Sequence, residues 1–290
     1  MFRKLLLCVD PYPPSNTLVS HAIALKQVGA EETILAHILA DAPLELDTML
    51  REQARPEMEQ QKQILEEAKL KASIAMEAGI PAHALNALAE KEDASLLIIG
   101  THGRGLLESM VLAGSPLGNV SSKLLHLSHR PMLLVPNALP TKETGNAPPE
   151  LFSHLLFPTD FSDTAEIAFA YLETIVRATQ CPVTLLHVQD RSRPAPHLGH
   201  RLKELQELDG LRLQRLQGWI KGLGAPDVRI DLIQGNPGDE IVKRAKSCGC
   251  SLILMGTQGK GITREILLGS VAHHVARHAA QPVLFIPALL

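Results

Sequence analysis

The chain repeats one order of short aliphatic runs at an offset of about 150 residues, and this duplication constrains the fold more than any other feature. Leu5-Leu-Leu-Cys-Val-Asp10 is matched by Leu155-Leu-Phe-Pro-Thr-Asp160, and Thr33-Ile-Leu-Ala-His-Ile38 by Thr184-Leu-Leu-His-Val188. Ser95-Leu-Leu-Ile-Ile99 is matched by Ser251-Leu-Ile-Leu-Met255, and Pro131–Pro136 by Pro282–Pro287. Continuous aliphatic runs of this length suit parallel strands buried on both faces. Helical patterns lie between them, such as Ala165 to Ala178 and the charged stretch Met49 to Ala78. Strand alternating with helix predicts an α/β fold of two tandem doubly wound domains with right-handed crossovers.

The boundary falls in Asn137–Glu150, which has three prolines and no period. Residues 1–138 therefore read as domain 1, 139–150 as a linker and 151–290 as domain 2. Net charge is −3 and aromatics make up 3% of the chain, so neither a basic footprint nor stacking platforms for nucleic acid are present. No apolar run is long enough for a membrane span or a signal segment, and a cytoplasmic protein is expected. The four cysteines read as reduced thiols.

Chemistry concentrates after the fourth run of the second half. Gly256-Thr-Gln-Gly259, nine residues, then Gly269-Ser270 lies between a strand and the helical pattern Val271–His278. Small residues there let backbone N–H groups approach an anion that the helix dipole also favours. No Gly-x4-Gly-Lys-[Ser/Thr] is present, because Gly261 follows Lys260, and the dinucleotide fingerprint is missing after the first strand. His274 and His278 are one helical turn apart without a third ligand nearby and read as a polar helix face.

Pro158-Thr-Asp-Phe-Ser-Asp163, Leu185-Leu-His-Val188 and the Gly-x2-Gly-x9-Gly-Ser of Gly256–Ser270 together resemble the ATP-binding branch of the universal stress proteins. The resemblance covers all of the second half and, more loosely, the first. It implies five-stranded parallel sheets of order 3-2-1-4-5, with nucleotide over the carboxyl ends of strands 1 and 4. By position it implies Pro158, Thr159 and Asp160 at adenine and ribose, and Val188 at adenine. It implies Met255, Gly256, Gly259, Gly269, Ser270 and Val271 around ribose and phosphates, with Lys260 in reach of a phosphate. Asp160 would accept from the ribose or lie near Mg²⁺ or Mn²⁺ on the phosphates, or else cap the following helix; Ser162 is the better candidate for that cap. The last strand of each sheet is an edge, and the resemblance implies that the two edges pair as an intramolecular pseudo-dimer, with homodimers of the whole chain beyond that.

The first half departs from the pattern. Gly118-Asn119 aligns on Gly269-Ser270 with five extra residues, and Pro11-Tyr-Pro-Pro14 follows Asp10. Set against Pro226–Gly256, Pro81–Gly100 is 11 positions shorter, which predicts a truncated strand 3 and helix 3 and no Gly-x-Pro turn. ATP is thus expected in domain 2 alone, as the sensed ligand of a stress-response regulator. No general base or second-substrate motif is visible, so at most weak ATPase activity is expected. A slow hydrolase or phosphotransferase, and a nucleotide-free interaction module, are the alternatives.

Overall fold

The computed structural model describes residues 1–10, 16–39, 44–101, 117–136, 150–190, 202–259 and 268–288, with backbone only for 44–47 and 202–203. The chain divides into two compact units, Met1–Glu150 and Leu151–Leu289. Unit 1 holds β1 (Lys4–Cys8), α1 (Thr17–Ala24) with a 3-10 turn at Leu25–Val28, β2 (Glu32–Leu39), α2 (Leu44–Glu67), β3 (Lys71–Ala78), α3 (Pro81–Lys91), β4 (Leu96–Gly100), α4 (Asn119–Leu127) and β5 (Met132–Val135). Unit 2 holds β6 (Leu155–Pro158), α5 (Asp163–Thr179), β7 (Val183–Asp190), α6 (Leu202–Gly222), β8 (Val228–Gly235), α7 (Pro237–Ser247), β9 (Leu252–Gly256), α8 (Ser270–His278) and β10 (Val283–Ile286).

Each unit has a parallel sheet of the expected order, β3-β2-β1-β4-β5 and β8-β7-β6-β9-β10. The central strands are sealed. Leu5, Leu6, Leu7, Leu96, Leu97 and Ile98 in unit 1, and Leu155, Leu156, Ile253 and Leu254 in unit 2, are fully excluded from solvent. A serine before the fourth strand ties each sheet together at its base. Ser95 Oγ accepts from Lys4 N at 3.0 Å and donates to Lys4 O at 2.8 Å; Ser251 Oγ accepts from His154 N at 3.0 Å and donates to His154 O at 3.0 Å.

Two expectations for unit 1 are corrected. Met49–Ala78 is not one helix: α2 ends at Glu67 and Lys71–Ala78 is the edge strand β3. Its composition, Lys-Ala-Ser-Ile-Ala-Met-Glu-Ala, is rich in helix formers, so local propensity misleads and pairing with β2 decides. Lys69, left-handed at φ 62°, marks the break. Nor is the strand 3 and helix 3 region truncated. β3 and β8 have 8 residues each, and α3 and α7 have 11 each. The partner of Pro81 is Pro237, not Pro226, and both prolines open their helix at its first position, where no N–H is needed. The Gly-x-Pro turn survives as Gly79-Ile-Pro81, with φ 138° at Gly79 where the matching Gly235 has φ 158°.

A real difference lies after the first strand. β1 to β2 and β6 to β7 span the same length, yet α5 starts at Asp163 and α1 only at Thr17, four residues later when Asp10 is set on Asp160. Pro13 and Pro14 occupy the positions matching Asp163 and Thr164, and a proline disfavours helical geometry in the residue before it.

His21 supplies a pH test of unit 1. It is buried on α1, with Nδ1 2.7 Å from Thr17 O and no partner for Nε2 among the described residues. Burial lowers its pKa, against a smaller upward pull from that carbonyl. The unfolded chain therefore takes the proton first. The contribution to stability is complete above the unfolded value of about 6.5 and is lost as pH falls through that value towards the folded one. Urea midpoints measured at pH 7.5 and 5.5 should fall less in His21→Leu than in the parent.

Candidate functional site

In unit 2 the chain leaves β6 at Pro158 and enters a loop held by its own side chains. Thr159 N donates to Leu186 O at 2.8 Å, and Thr159 Oγ1 accepts from Phe161 N at 3.0 Å. Asp160 Oδ1 accepts from Ser162 N at 3.1 Å and from Ser162 Oγ at 2.6 Å. Ser162 is the helix cap, as expected, with Oγ accepting from Ala165 N at 3.3 Å. Asp160 instead fixes the cap residue through its Oδ1.

The end of β9 comes to meet this loop. A Cβ on Gly256 would lie 2.8 Å from Thr164 Cγ2 and 3.2 Å from Thr164 O, so only glycine lets β9 pass the first turn of α5. A Cβ on Gly259 would lie 2.7 Å from Asp160 Oδ2. Beyond residues 260–267, Gly269 N donates to Thr257 O at 2.7 Å, which returns the chain to the same corner as α8 begins. Thr159, Asp160, Met255, Gly256, Gly259, Gly269, Ser270 and Val271 thus sit at the carboxyl ends of β6 and β9 and the start of α8. Val188 lies on β7 two residues past Leu186, the partner of Pro158. Lys260 lies outside the described residues.

The start of α8 differs from its neighbours in unit 2. α5 and α7 begin with side-chain caps, Ser162 and Asn236, and carry acids in the first turn. α8 begins at Gly269 with no side-chain cap and no acid in its first turn. Its first N–H groups carry the positive end of the helix dipole, and the first turn itself supplies no carboxylate to offset it. Thr257 Oγ1, beside this start, is buried with no partner among the described residues.

A cluster that no local motif marks lies behind Thr159. His187 Nδ1 lies 2.6 Å from Thr159 O, and its Nε2 lies 3.4 Å from Asp209 Oδ2. Asp209 is buried on α6 and also accepts from Gln189 Nε2 at 3.0 Å. Arg212 lies 3.5 Å from Asp209 Oδ1 and 5.3 Å from the centre of the Phe161 ring, which packs 4.7 Å from the His187 ring. Phe161 is left-handed at φ 57°, an uncommon conformation for a bulky residue, and this packing holds it there. The signal was available: His37 repeats His187, and its Nδ1 lies 3.1 Å from Val9 O.

Unit 1 has a cavity of about 250 Å³ at the same end of its sheet, with Val9, Asp10, His37, Ile38, Gly100 and Ser121 in its lining. Ala36 lies in its wall at the register position where unit 2 has the fully buried Leu186. Cys8 is also in its lining, and burial pushes its thiol up to about 12, so it stays neutral. α4 starts at Gly118 without a side-chain cap, and Gly118 N donates to Thr101 O at 2.6 Å. That contact repeats Gly269 with Thr257, so Gly118-Asn119 is the structural partner of Gly269-Ser270. The five extra residues, like Pro11–Pro14, lie outside the described residues.

Other sequence features fall away from the site. Cys248 and Cys250 are free thiols at the end of α7, and burial raises the pKa of Cys250. The His274 and His278 rings stack at 4.2 Å, and His274 Nε2 lies 3.0 Å from Asp239 Oδ1 on α7. No cluster of three metal-ligating side chains occurs among the described residues, and none of their helices is long and apolar enough to cross a membrane.

A universal stress protein of Methanocaldococcus jannaschii is 30% identical over 155 residues, which cover 47% of this chain and 95% of that protein. A solved universal stress protein from Archaeoglobus fulgidus matches 98% of both chains at 22% identity with a TM-score of 0.70, a likeness of fold. A universal stress protein solved in complex with cAMP matches 46% of this chain and 95% of its own at 22% identity and a TM-score of 0.37. The model of the universal stress protein family matches residues 1–136 and 151–287, the two units in turn. The chain belongs to the universal stress protein family, as a tandem of two of its domains.

Proposed function

We propose that unit 2 binds ATP and that the protein is a nucleotide-sensing regulator of a stress response. The observation that carries this reading is the start of α8. It is uncapped and free of acids in its first turn, and it sits beside a strand end that only glycines bring close to α5 and Asp160. A helix start of this kind suits phosphate oxygens. Gly256, Gly259, Gly269, Ser270 and Val271 would hold the phosphates and ribose. Pro158, Thr159, Val188 and Met255 would form the base side. Asp160 Oδ2 would serve the ribose or a Mg²⁺ or Mn²⁺ on the phosphates; bound there, the metal supplies charge neutralisation.

Calorimetric titration of the full chain with ATP and GTP, each with and without Mg²⁺, tests the reading. Tighter binding of ATP is expected, and equal affinity for GTP or no uptake of ATP would end it. Ser162→Ala should cost about 1 kcal/mol of stability through loss of the cap. It should also weaken ATP binding, because Asp160 loses the hydroxyl that fixes its rotamer. Ser270→Ala should weaken ATP binding by roughly 1.5–3 kcal/mol if its hydroxyl meets a phosphate.

One ATP per chain is expected. Unit 1 has a cavity and an uncapped helix start, but α1 begins a turn late and the sequence position that matches Ser162 is Tyr12. The five-residue insertion before Gly118 lengthens the segment that would fold over phosphates. A titration that reaches two equivalent sites per chain would overturn this stoichiometry.

A further inference from the structure

The outer face of α6 bears an apolar stripe that the fold does not use. The helix buries Asp209, Leu213 and Ile220 against unit 2. Leu208 and Leu211 on the opposite side are 43% and 63% exposed, and Leu205 and Trp219, nearer the border of the buried face, are 40% and 57% exposed; these are four of the seven exposed large hydrophobic side chains among the described residues. The duplicated helix shows that such a stripe is dispensable for the architecture. α2 occupies the same place in unit 1; Met49 near its start is 45% exposed, but its exposed positions from Glu52 to Glu67 are Glu, Gln, Arg and one proline. Exposed apolar surface concentrated on one helix is characteristic of a contact site.

The pattern within the stripe identifies what it contacts. Glu204, Leu208, Leu211 and Arg215 follow one another at spacings of four, three and four. At 3.6 residues per turn they fall within an arc of about 60°. Spacing of this kind forms the seam of a two-helix coiled coil. The order is acid, leucine, leucine, base, with the charges at the two ends of the seam. Neither Glu204 nor Arg215 has an ion-pair partner among the described residues. A second α6 laid antiparallel, with its midpoint on the junction of Asp209 and Gly210, sets Glu204 against Arg215 and Leu208 against Leu211, and two-fold symmetry makes each contact twice. A parallel copy in register would set Glu204 on Glu204 and Arg215 on Arg215, so charge selects the antiparallel arrangement.

We propose that the Glu204–Arg215 face of α6 is a self-association surface, which pairs antiparallel with the same face of a second copy of this chain. Trp219 and Leu205 both lie along one side of the seam. One helix face per copy places the contact at the small end of specific interfaces, below about 1,200 Å² in total, so the pairing is reversible and depends on concentration.

Trp219 is the only tryptophan of the chain and lies one turn past Arg215 at the edge of this face, so its emission responds to burial beside the seam. Sedimentation equilibrium of the full chain, with Trp219 emission followed over the same concentrations, is expected to show a dimer whose formation shifts the emission to shorter wavelength. Arg215→Glu should raise the dissociation constant at least tenfold by facing two acids at both ends, and Leu208→Asp should do the same. The exchanged pair Glu204→Arg with Arg215→Glu should restore association to within a few-fold of the parent. Both charged positions are exposed, and far-ultraviolet circular dichroism verifies that each variant is folded. A chain that remains monomeric, a dimer indifferent to Arg215→Glu, or an exchanged pair that fails to recover would each overturn the proposal. Association that a basic or acidic unrelated protein reproduces equally would do so as well.

Discussion

Gly269→Asp is expected to abolish ATP binding, with a loss of at least a hundredfold in affinity, while the protein melts no earlier than the parent. Gly269 is the N-cap of α8, with φ −76° and ψ 158°, an extended conformation open to any residue. Aspartate is among the best residues at such a position, since its carboxylate accepts from the N–H groups of the first turn. The same bonds consume the donors that phosphate would use, and the added charge opposes the ligand where the helix dipole had favoured it. Stability and binding therefore move in opposite directions, which separates loss of a site from loss of a fold. Calorimetric titration and a thermal melt on one preparation decide it. A variant that binds ATP as the parent does would remove α8 from the site.

Phe157→Ala should have the largest effect on stability. Phe157 is 1% exposed on β6, and its ring meets that of Phe169 on α5 edge-on at 5.7 Å. Truncation leaves a cavity between the central strand and its first helix, at a cost of about 3–5 kcal/mol. With urea slopes of roughly 1–3 kcal/mol per molar, the midpoint of the transition that includes unit 2 should fall by about 1 M or more. Thr159 and Asp160 follow two and three residues later, so ATP affinity should fall as well. Tyrosine fluorescence and circular dichroism follow the transition, and a midpoint within 0.3 M of the parent, against the ~1 M expected, would contradict the packing described for β6 and α5.

The aliphatic runs carried the sheet order because a strand buried on both faces has few ways to be written. They failed at β3, where an edge strand half open to solvent tolerates Lys, Glu and Ala, and the composition then resembles that of a helix. That failure moved the alignment. With β3 reading as helix, Pro226 becomes the apparent match of Pro81, and the pattern suggests a truncation that the structure lacks. The Ser162 cap was legible because its chemistry is local, from residue to N–H three positions on. The cluster of Phe161, His187, Asp209 and Arg212 was not, since it gathers residues from a loop, a strand and a helix separated by up to 51 positions. Only the repetition of histidine at 37 and 187 hinted at it.

The paired turns Gly79-Ile-Pro81 and Gly235-Asn-Pro237 bear on how a duplicated protein ages. Duplication frees one copy to drift, and Ala36 against Leu186 shows a wall residue that has changed size. A backbone that needs φ 138° at Gly79 and a helix that opens on proline leave no such freedom, because the demand comes from the chain's path rather than from any ligand. A spare copy gives no slack there. In a saturation library the two glycines should therefore be equally intolerant, whichever unit holds the nucleotide, while the residues around the two crevices tolerate change unequally. Fold and activity would then leave separate signatures in the same mutational map.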